Sequence, residues 1–278
     1  MAGLEQLKKR LRGVRLSGQL AGAMKTVASA KYAKVNKQFI SYRHYLHKLE
    51  RLCGLYDRHD LPVPEGKSLY IVLGFNRGLC GAYNAELHAF AASVIAAEPG
   101  ALVAVCGKQA ISYFAEKGIG ADRTFVFPDI PSQEELAPLY EYATGKTAAG
   151  EVDRVMLVRQ SYVNTLTQKP VCTPLLPITG DRATEGELLL LPDPATVRSR
   201  LLDQLAKGRL YRAALEAALG AQAATLNAMR TAYDNAKESE AKLEHEINRK
   251  RQSAVTTGVI ETSAGAFMEG DETDGERG

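Results

Sequence analysis

Residues 3–35 read GLEQLKKRLRGVRLSGQLAGAMKTVASAKYAKV, and the spacing of their apolar side chains decides the fold. Leu4, Leu7, Leu11, Val14, Gly18, Ala21, Lys25, Ala28, Tyr32 and Val35 recur at alternating steps of three and four. The series continues through Phe39, Tyr42, Leu46, Leu49, Cys53 and Tyr56, with Lys25 as its one charged member. A seven-residue period held this long keeps one stripe facing a partner helix along its whole length, which is the signature of a coiled coil. At about 1.5 Å per residue such a helix reaches on the order of 80 Å, more than a compact domain of this size encloses.

The partner for that stripe lies at the other end of the chain. After the break Leu61-Pro62-Val63-Pro64, short apolar runs alternate with helical ones. Strands are expected at 68–73, 101–106, 123–127 and 153–159, and helices at 83–97, 108–117 and 132–143. That alternation predicts right-handed crossovers and a mostly parallel sheet. The stretch 170–178, PVCTPLLPI, carries prolines and is expected as an edge strand. From 196 to 268 the chain is helical again, and Ala214, Ala218, Ala221, Ala228 and Ala232 offer small side chains for close approach of another helix. The expected fold class is therefore α/β: a long antiparallel coiled coil of N- and C-terminal helices (1–60 and 196–268) with a Rossmann-like α/β head between them (66–180). The last ten residues, 269–278, hold five acids and no apolar anchor and are expected as a disordered tail.

Composition narrows the function. The 278 residues are 45% hydrophobic and 24% charged, ordinary for a packed soluble chain, and no run approaches the roughly 18–20 apolar residues that span a bilayer. Four scattered cysteines without a C-x-x-C pair point to a reducing compartment and away from disulfides or a zinc knuckle. The net charge of +3 conceals an asymmetry: residues 1–60 hold thirteen Lys or Arg against four Asp or Glu. A basic segment of this kind suits nucleic acid, an anionic membrane surface or an acidic protein. Basic readers of DNA concentrate their cations in a short block, whereas here the apolar seam runs through them, which favours a partner-facing coiled coil and no nucleic acid.

Two constellations resemble sites. Gly74-Phe75-Asn76-Arg77-Gly78-Leu79-Cys80-Gly81 joins a strand to a helix, where phosphate loops occur, yet it matches neither G-x-G-x-x-G nor G-x-x-x-x-G-K-[ST]. His44 and His47, with Cys53 and His59 downstream, have the residue types of a metal cluster but no closing ligand on one face. No catalytic residue, metal or cofactor is assigned. Two function classes stand at this point: a coiled-coil scaffold with a non-catalytic or phosphate-binding head, and a small nucleotide-dependent enzyme.

Several pieces in order resemble the gamma subunit of F-type ATP synthases: the opening helix quoted above, FNRGLCGAYNAEL (75–87), CGKQAISYFAEKG (106–118), YVNTLTQKPVCTPLLPI (162–178), NAMRTAYDNAKE (227–238) and NRKRQSAVT (248–256). The resemblance covers nearly the entire chain. It implies a central rotor shaft without an active site or small-molecule substrate of its own, which couples ion-driven rotation of a membrane ring to the catalytic beta subunits. It implies alpha, beta and epsilon subunits and the ring as partners, and a peripheral place on the cytoplasmic side of a bacterial plasma membrane. By position it implies that Met24 and Lys25, and Arg249, Arg251 and Gln252, touch the catalytic subunits, and that Arg77, Gly78, Leu79, Cys80 and Gly81 form the family's head-domain turn. The sequence departs from that pattern at Asn76, where Asp is usual, at Gly220-Ala221 for Ser-Glu, at Thr225 for Arg and at Gly258 for an acid.

Overall fold

The computed structural model describes residues 2–54, 66–178 and 193–272. Its elements are α1 (Ala2–Gly54), β1 (Ser68–Leu73), α2 (Tyr83–Ala96), β2 (Leu102–Cys106), α3 (Lys108–Glu116), β3 (Arg123–Phe125), α4 (Gln133–Ala148), β4 (Arg154–Tyr162), β5 (Gln168–Leu176) and α5 (Pro194–Glu272). Helix α5 includes residues 269–272, which the sequence places in an acidic tail; the rest of that tail lies outside the described residues. The chain forms two compact units, one of residues up to Met24 and from Met229 onward, the other of Lys25–Ala228.

In the first unit α1 and α5 run antiparallel. As the position on α1 rises from Gly3 to Gly18 and Gly22, the side chain facing it on α5 falls from Lys250 to Ala236 and Tyr233. A Cβ at Gly18 would come within 3.1 Å of the Ala236 Cβ, and one at Gly22 within 3.3 Å of the Tyr233 ring, so both glycines permit a close approach of the helices. Arg15 forks between Glu240 and Glu244 across the pair.

The second unit contains the sheet, in the order β3-β2-β1-β4-β5, with β1 parallel to β2 and β4, and β2 parallel to β3. Strand β5 closes one edge antiparallel to β4, with Pro170 opposite Gln160 and Pro174 opposite Met156. All six residues of β1 are buried, as the central strand of a sheet covered on both faces requires. Leu69, Ile71 and Leu73 face α4 and the α5 residues Ala206, Leu210, Ala213 and Ala214, while Tyr70 and Val72 face α2 and α3 through Leu87, Ala91, Ala110 and Phe114. Ser132 caps α4 in a reciprocal box with Glu135.

Within this unit α1 and α5 are also antiparallel: Leu46, Leu49 and Cys53 pack on Leu205, and Val35 on Ala218 and Leu219. The seam on α1 is buried as its period predicts, at Leu11, Ala21, Ala28, Val35, Leu46, Leu49 and Cys53, with Tyr56 outside the described residues. The seam on α5 differs from expectation. Ala214, Ala218 and Ala221 are buried, but Ala232 is exposed and the pairing stripe continues through Met229, Tyr233, Ala236 and Leu243. Between Leu205 and Ala223 the helix is covered by the sheet on one side and α1 on the other, so burial there is nearly continuous and its alanines do not mark the stripe.

One buried charge pair joins sheet and helix: Arg159 Nη1 lies 3.0 Å from Glu216 Oε2, and Glu216 Oε1 accepts from Ser161 Oγ and the Tyr162 amide. Removing one partner of such a pair leaves a desolvated charge, which costs far more than an exposed ion pair contributes.

Two outcomes test this packing. A Cβ at Gly74 would sit 2.6 Å from the Ala110 Cβ and 2.8 Å from the Cys106 carbonyl oxygen, so Gly74→Ala is expected to destabilise by about 1–3 kcal/mol, read from chemical denaturation. His88 on α2 is 4% exposed, lies tilted against the Tyr113 ring, and burial pushes its imidazole below the ordinary value. The unfolded chain therefore takes up its proton near pH 6.5 while the fold resists it, so stability is complete above that value and is lost as pH falls through and below it. The thermal midpoint is expected to drop between about pH 7.5 and 5.5, and His88→Leu to flatten that slope.

Candidate functional site: the glycine-rich turn and the two helices

The turn after β1 is built from backbone hydrogen bonds. Gly74 donates its amide to the Cys106 carbonyl at 3.0 Å, Gly107 to Phe125 at 2.9 Å and Gln109 to Phe75 at 3.2 Å. The Asn76 side chain donates to the Phe127 carbonyl at 2.6 Å and accepts from the Lys108 amide at 3.2 Å, a double role that a carboxylate cannot fill. Gly107 has φ +91° and faces Gly74 so closely that a Cβ would lie 2.6 Å from the Gly74 oxygen. Leu79 and Gly81 are left-handed, at φ 59° and 60°, which turns the chain into α2.

The amides of Gly74, Gly107, Lys108 and Gln109 around the turn are thus engaged with neighbouring carbonyls and the Asn76 side chain. The cleft beside them, lined by Gly74, Asn76, Gly107, Phe127, Asp129 and Ala217 among others, has about 50 Å³. Ligand pockets run to roughly 300 Å³ and above, so the cleft has room for a few waters and not for a nucleotide.

Within the turn, Arg77 is exposed and its Nε lies 3.1 Å from Asp129 Oδ2, while its carbonyl accepts from Asn84. Gly78 and Leu79 are exposed, the latter at 62%. Cys80 is buried with Phe75, Tyr83 and Ala221, and burial pushes its thiol up, which makes it a packing residue and not a nucleophile. Tyr83 follows, fully enclosed, its hydroxyl donating to the Ala217 carbonyl of α5 at 2.7 Å.

The helical candidates separate. Met24 is half-buried at one end of the first unit's pair; Arg249, Arg251 and Gln252 are exposed about 20 residues of pairing away, on the order of 30 Å along the axis. Arg249 and Gln252 line a shallow concavity with His245, Glu246 and Asn248. Lys25 is half-buried and opens the second unit. Among the described residues no group of three or more His, Cys, Asp and Glu is placed to hold a metal, and His59 lies outside them.

The departures noted in the sequence have local explanations in part. A Cβ at Gly220 would press on Tyr83 and Gln168 at 3.2 Å, so glycine admits the tyrosine. Thr225 turns its hydroxyl onto the Ala221 carbonyl at 2.8 Å and presents no cation. A Cβ at Gly258 would meet nothing, so glycine there relieves no crowding. Sequence reading missed Asp129, Tyr83, Arg159 and Glu216; each gains its role from a tertiary neighbour and carries no local signal.

Comparison with known proteins agrees with this architecture. A family model described as ATP synthase matches residues 3–267. The ATP synthase gamma chain of Desulfitobacterium hafniense is 31% identical over 96% of this chain and 99% of its own length. That of Chlorobaculum tepidum is 34% identical over 96% and 98%. Among solved structures, the rotor of the Euglena gracilis mitochondrial ATP synthase superposes with TM-score 0.69 at 18% identity, covering 91% of this chain and 99% of that one. The central stalk with c-ring of the Tetrahymena thermophila enzyme gives 0.61 at 17%, covering 77% and 99%. The shared fold, and identity above 30% along both full lengths, show that the chain belongs to the ATP synthase gamma chain family.

Proposed function

We propose that the chain is the rotating central shaft of an F-type ATP synthase: an ion-driven membrane ring and the epsilon subunit engage the sheet-bearing head, and helices α1 and α5 turn inside the ring of alpha and beta subunits. The observation that carries this reading, beside the family, is the outer surface of the first unit's helices. Leu16, Leu20, Val255, Val259 and Ile260 are each at least 60% exposed, which asks for cover by a surrounding partner.

The chain contributes no catalytic residue in this reading. A ligand or partner shifts an equilibrium only through contacts that differ between its states. A shaft whose faces differ, turning among identical catalytic subunits, supplies each with a different set and drives it through its cycle. Met24, Lys25, Arg249, Arg251 and Gln252 are the proposed contacts. Exposed arginines beside an amide form charge-assisted and neutral hydrogen bonds with an acidic loop and release them as the shaft turns. No described helix is long and apolar enough to cross a membrane, and the two gamma chains named above come from bacteria, in keeping with a peripheral subunit on the cytoplasmic face of the plasma membrane.

Co-expression with its own alpha and beta subunits is expected to yield a stable complex whose multi-site ATPase requires this chain; a subcomplex equally active without it would refute the shaft reading. Arg251→Ala is expected to preserve assembly and lower that ATPase by about five-fold, as loss of a coupling contact of roughly 1 kcal/mol would. Calorimetry of the isolated chain with ATP is expected to show no binding tighter than about 1 mM, and sub-micromolar affinity would instead favour an enzyme.

A further inference from the structure

Resting on the shaft reading, turning force has to pass between the sheet and the helices that run beside it. In the unit Lys25–Ala228, polar contacts from the strand ends to both helices gather in one layer. On the α1 side, Lys31 Nζ meets Asp129 Oδ2 at 2.6 Å, and the same carboxylate holds Arg77 of the glycine-rich turn. One residue on, the Tyr32 and Tyr162 hydroxyls lie 2.8 Å apart, their rings 6.5 Å between centroids, linking α1 to the end of β4. On the α5 side, the Tyr83 hydroxyl reaches the Ala217 carbonyl and its ring lies over Gly220. Between these contacts the helices touch each other through Val35, Ala218 and Leu219.

Beyond this layer, where α1 approaches Gly54, the pair is held chiefly by the apolar cluster of Leu46, Leu49, Cys53 and Leu205. Its polar contacts there include the partly exposed Arg209–Glu50 pair at 3.3 Å and bonds from α4, Gln133 to Tyr42 and Tyr140 to Asp203, which are not bonds from the strand ends. The difference is mechanical. Apolar burial is non-directional and tolerates a side chain sliding along its neighbour, whereas hydrogen bonds and ion pairs weaken steeply once distance or angle changes. A torque about the helix pair produces sliding of that kind. We propose that this layer is a torque collar in which Asp129, Tyr32 with Tyr162, and Tyr83 act as positioning residues that key α1 and α5 to the strand ends and prevent the pair from rolling against the sheet. None of these groups touches nucleotide in the shaft reading; they set how much of the rotation reaches the helices.

The test uses the complete complex with the catalytic ring immobilised, stalled with a non-hydrolysable ATP analogue, and a bead on the sheet domain whose angular fluctuation reports torsional stiffness. The combined variant Asp129→Asn, Tyr32→Phe and Tyr83→Phe is expected to raise the angular variance by about two-fold or more. Tyr140→Phe deletes a hydroxyl bonded to Asp203 of α5 at 2.8 Å, outside the collar, and is expected to leave the variance unchanged. Wild-type variance in the combined variant, or an equal rise in Tyr140→Phe, overturns the collar. If the combined variant does not assemble, the single substitutions, each the loss of one polar group, are held to the same criterion. Failure of the unsubstituted chain to assemble overturns the shaft reading itself, and the collar with it.

Discussion

Between Leu205 and Ala223, helix α5 has to serve two neighbours at once. Its Leu210, Ala213 and Ala214 form part of the third layer over the sheet, and its Ala218 and Leu219 close against Val35 of α1. Large side chains on both faces would hold one neighbour off, and polar ones would be stranded without water. The alanine-rich composition answers both demands, because small side chains bring backbones close on either side and cost little conformational entropy on burial. One face of the sheet, α1 and the glycine-rich turn all depend on that double burial. The sheet needs α5 as its cover, α1 needs it as its partner, and the glycine-rich turn reaches it through Tyr83 because Gly220 leaves room. Glu216, on the same stretch, shows the limit of the rule: it is a buried acid, held by Arg159, Ser161 and the Tyr162 amide.

The same feature explains what could be read from the sequence. Helix α1 has one buried stripe and an exposed remainder, so its period appears directly in the order of residues. The strands and their crossover helices were legible because a sheet covered on both faces demands short apolar runs, and β1 begins and ends where its run does. On α5 the reading slipped by one position after Ala221. Alanine is common there for reasons of crowding and not of phase, and Met229 and Tyr233, which continue the stripe, stand beside equally apolar neighbours. Helical residues 269–272 were assigned to a tail on their charge and the lack of an apolar anchor, although neither stops a helix that is already running.

The candidate site was legible as a turn and not as a mechanism. Its glycines have the density of a phosphate loop, and only the geometry shows that Gly74 and Gly107 are needed for the approach of two strand ends whose amides are already engaged. Asn76 is a comparable case: the sequence shows an amide where the related family has an acid, and the structure supplies a reason, a carbonyl on one side and an amide on the other. Asp129 sits in a proline-bearing loop that nothing local marks out, and its importance comes from the two cations that fold against it.

Strand β5 ends the sheet with Pro170 and Pro174, which offer no N–H at their positions, and the opposite edge is β3, only three residues long. Open sheet edges are templates on which other chains add strands, and both edges here are blunted. A subunit that must wait for its partners with apolar helix faces exposed runs a risk of clumping. Because its sheet offers little for a stray strand to join, stickiness is confined to the helices, and premature contacts are steered toward side-chain packing, which can dissociate and try again, and away from the far less reversible growth of stacked strands.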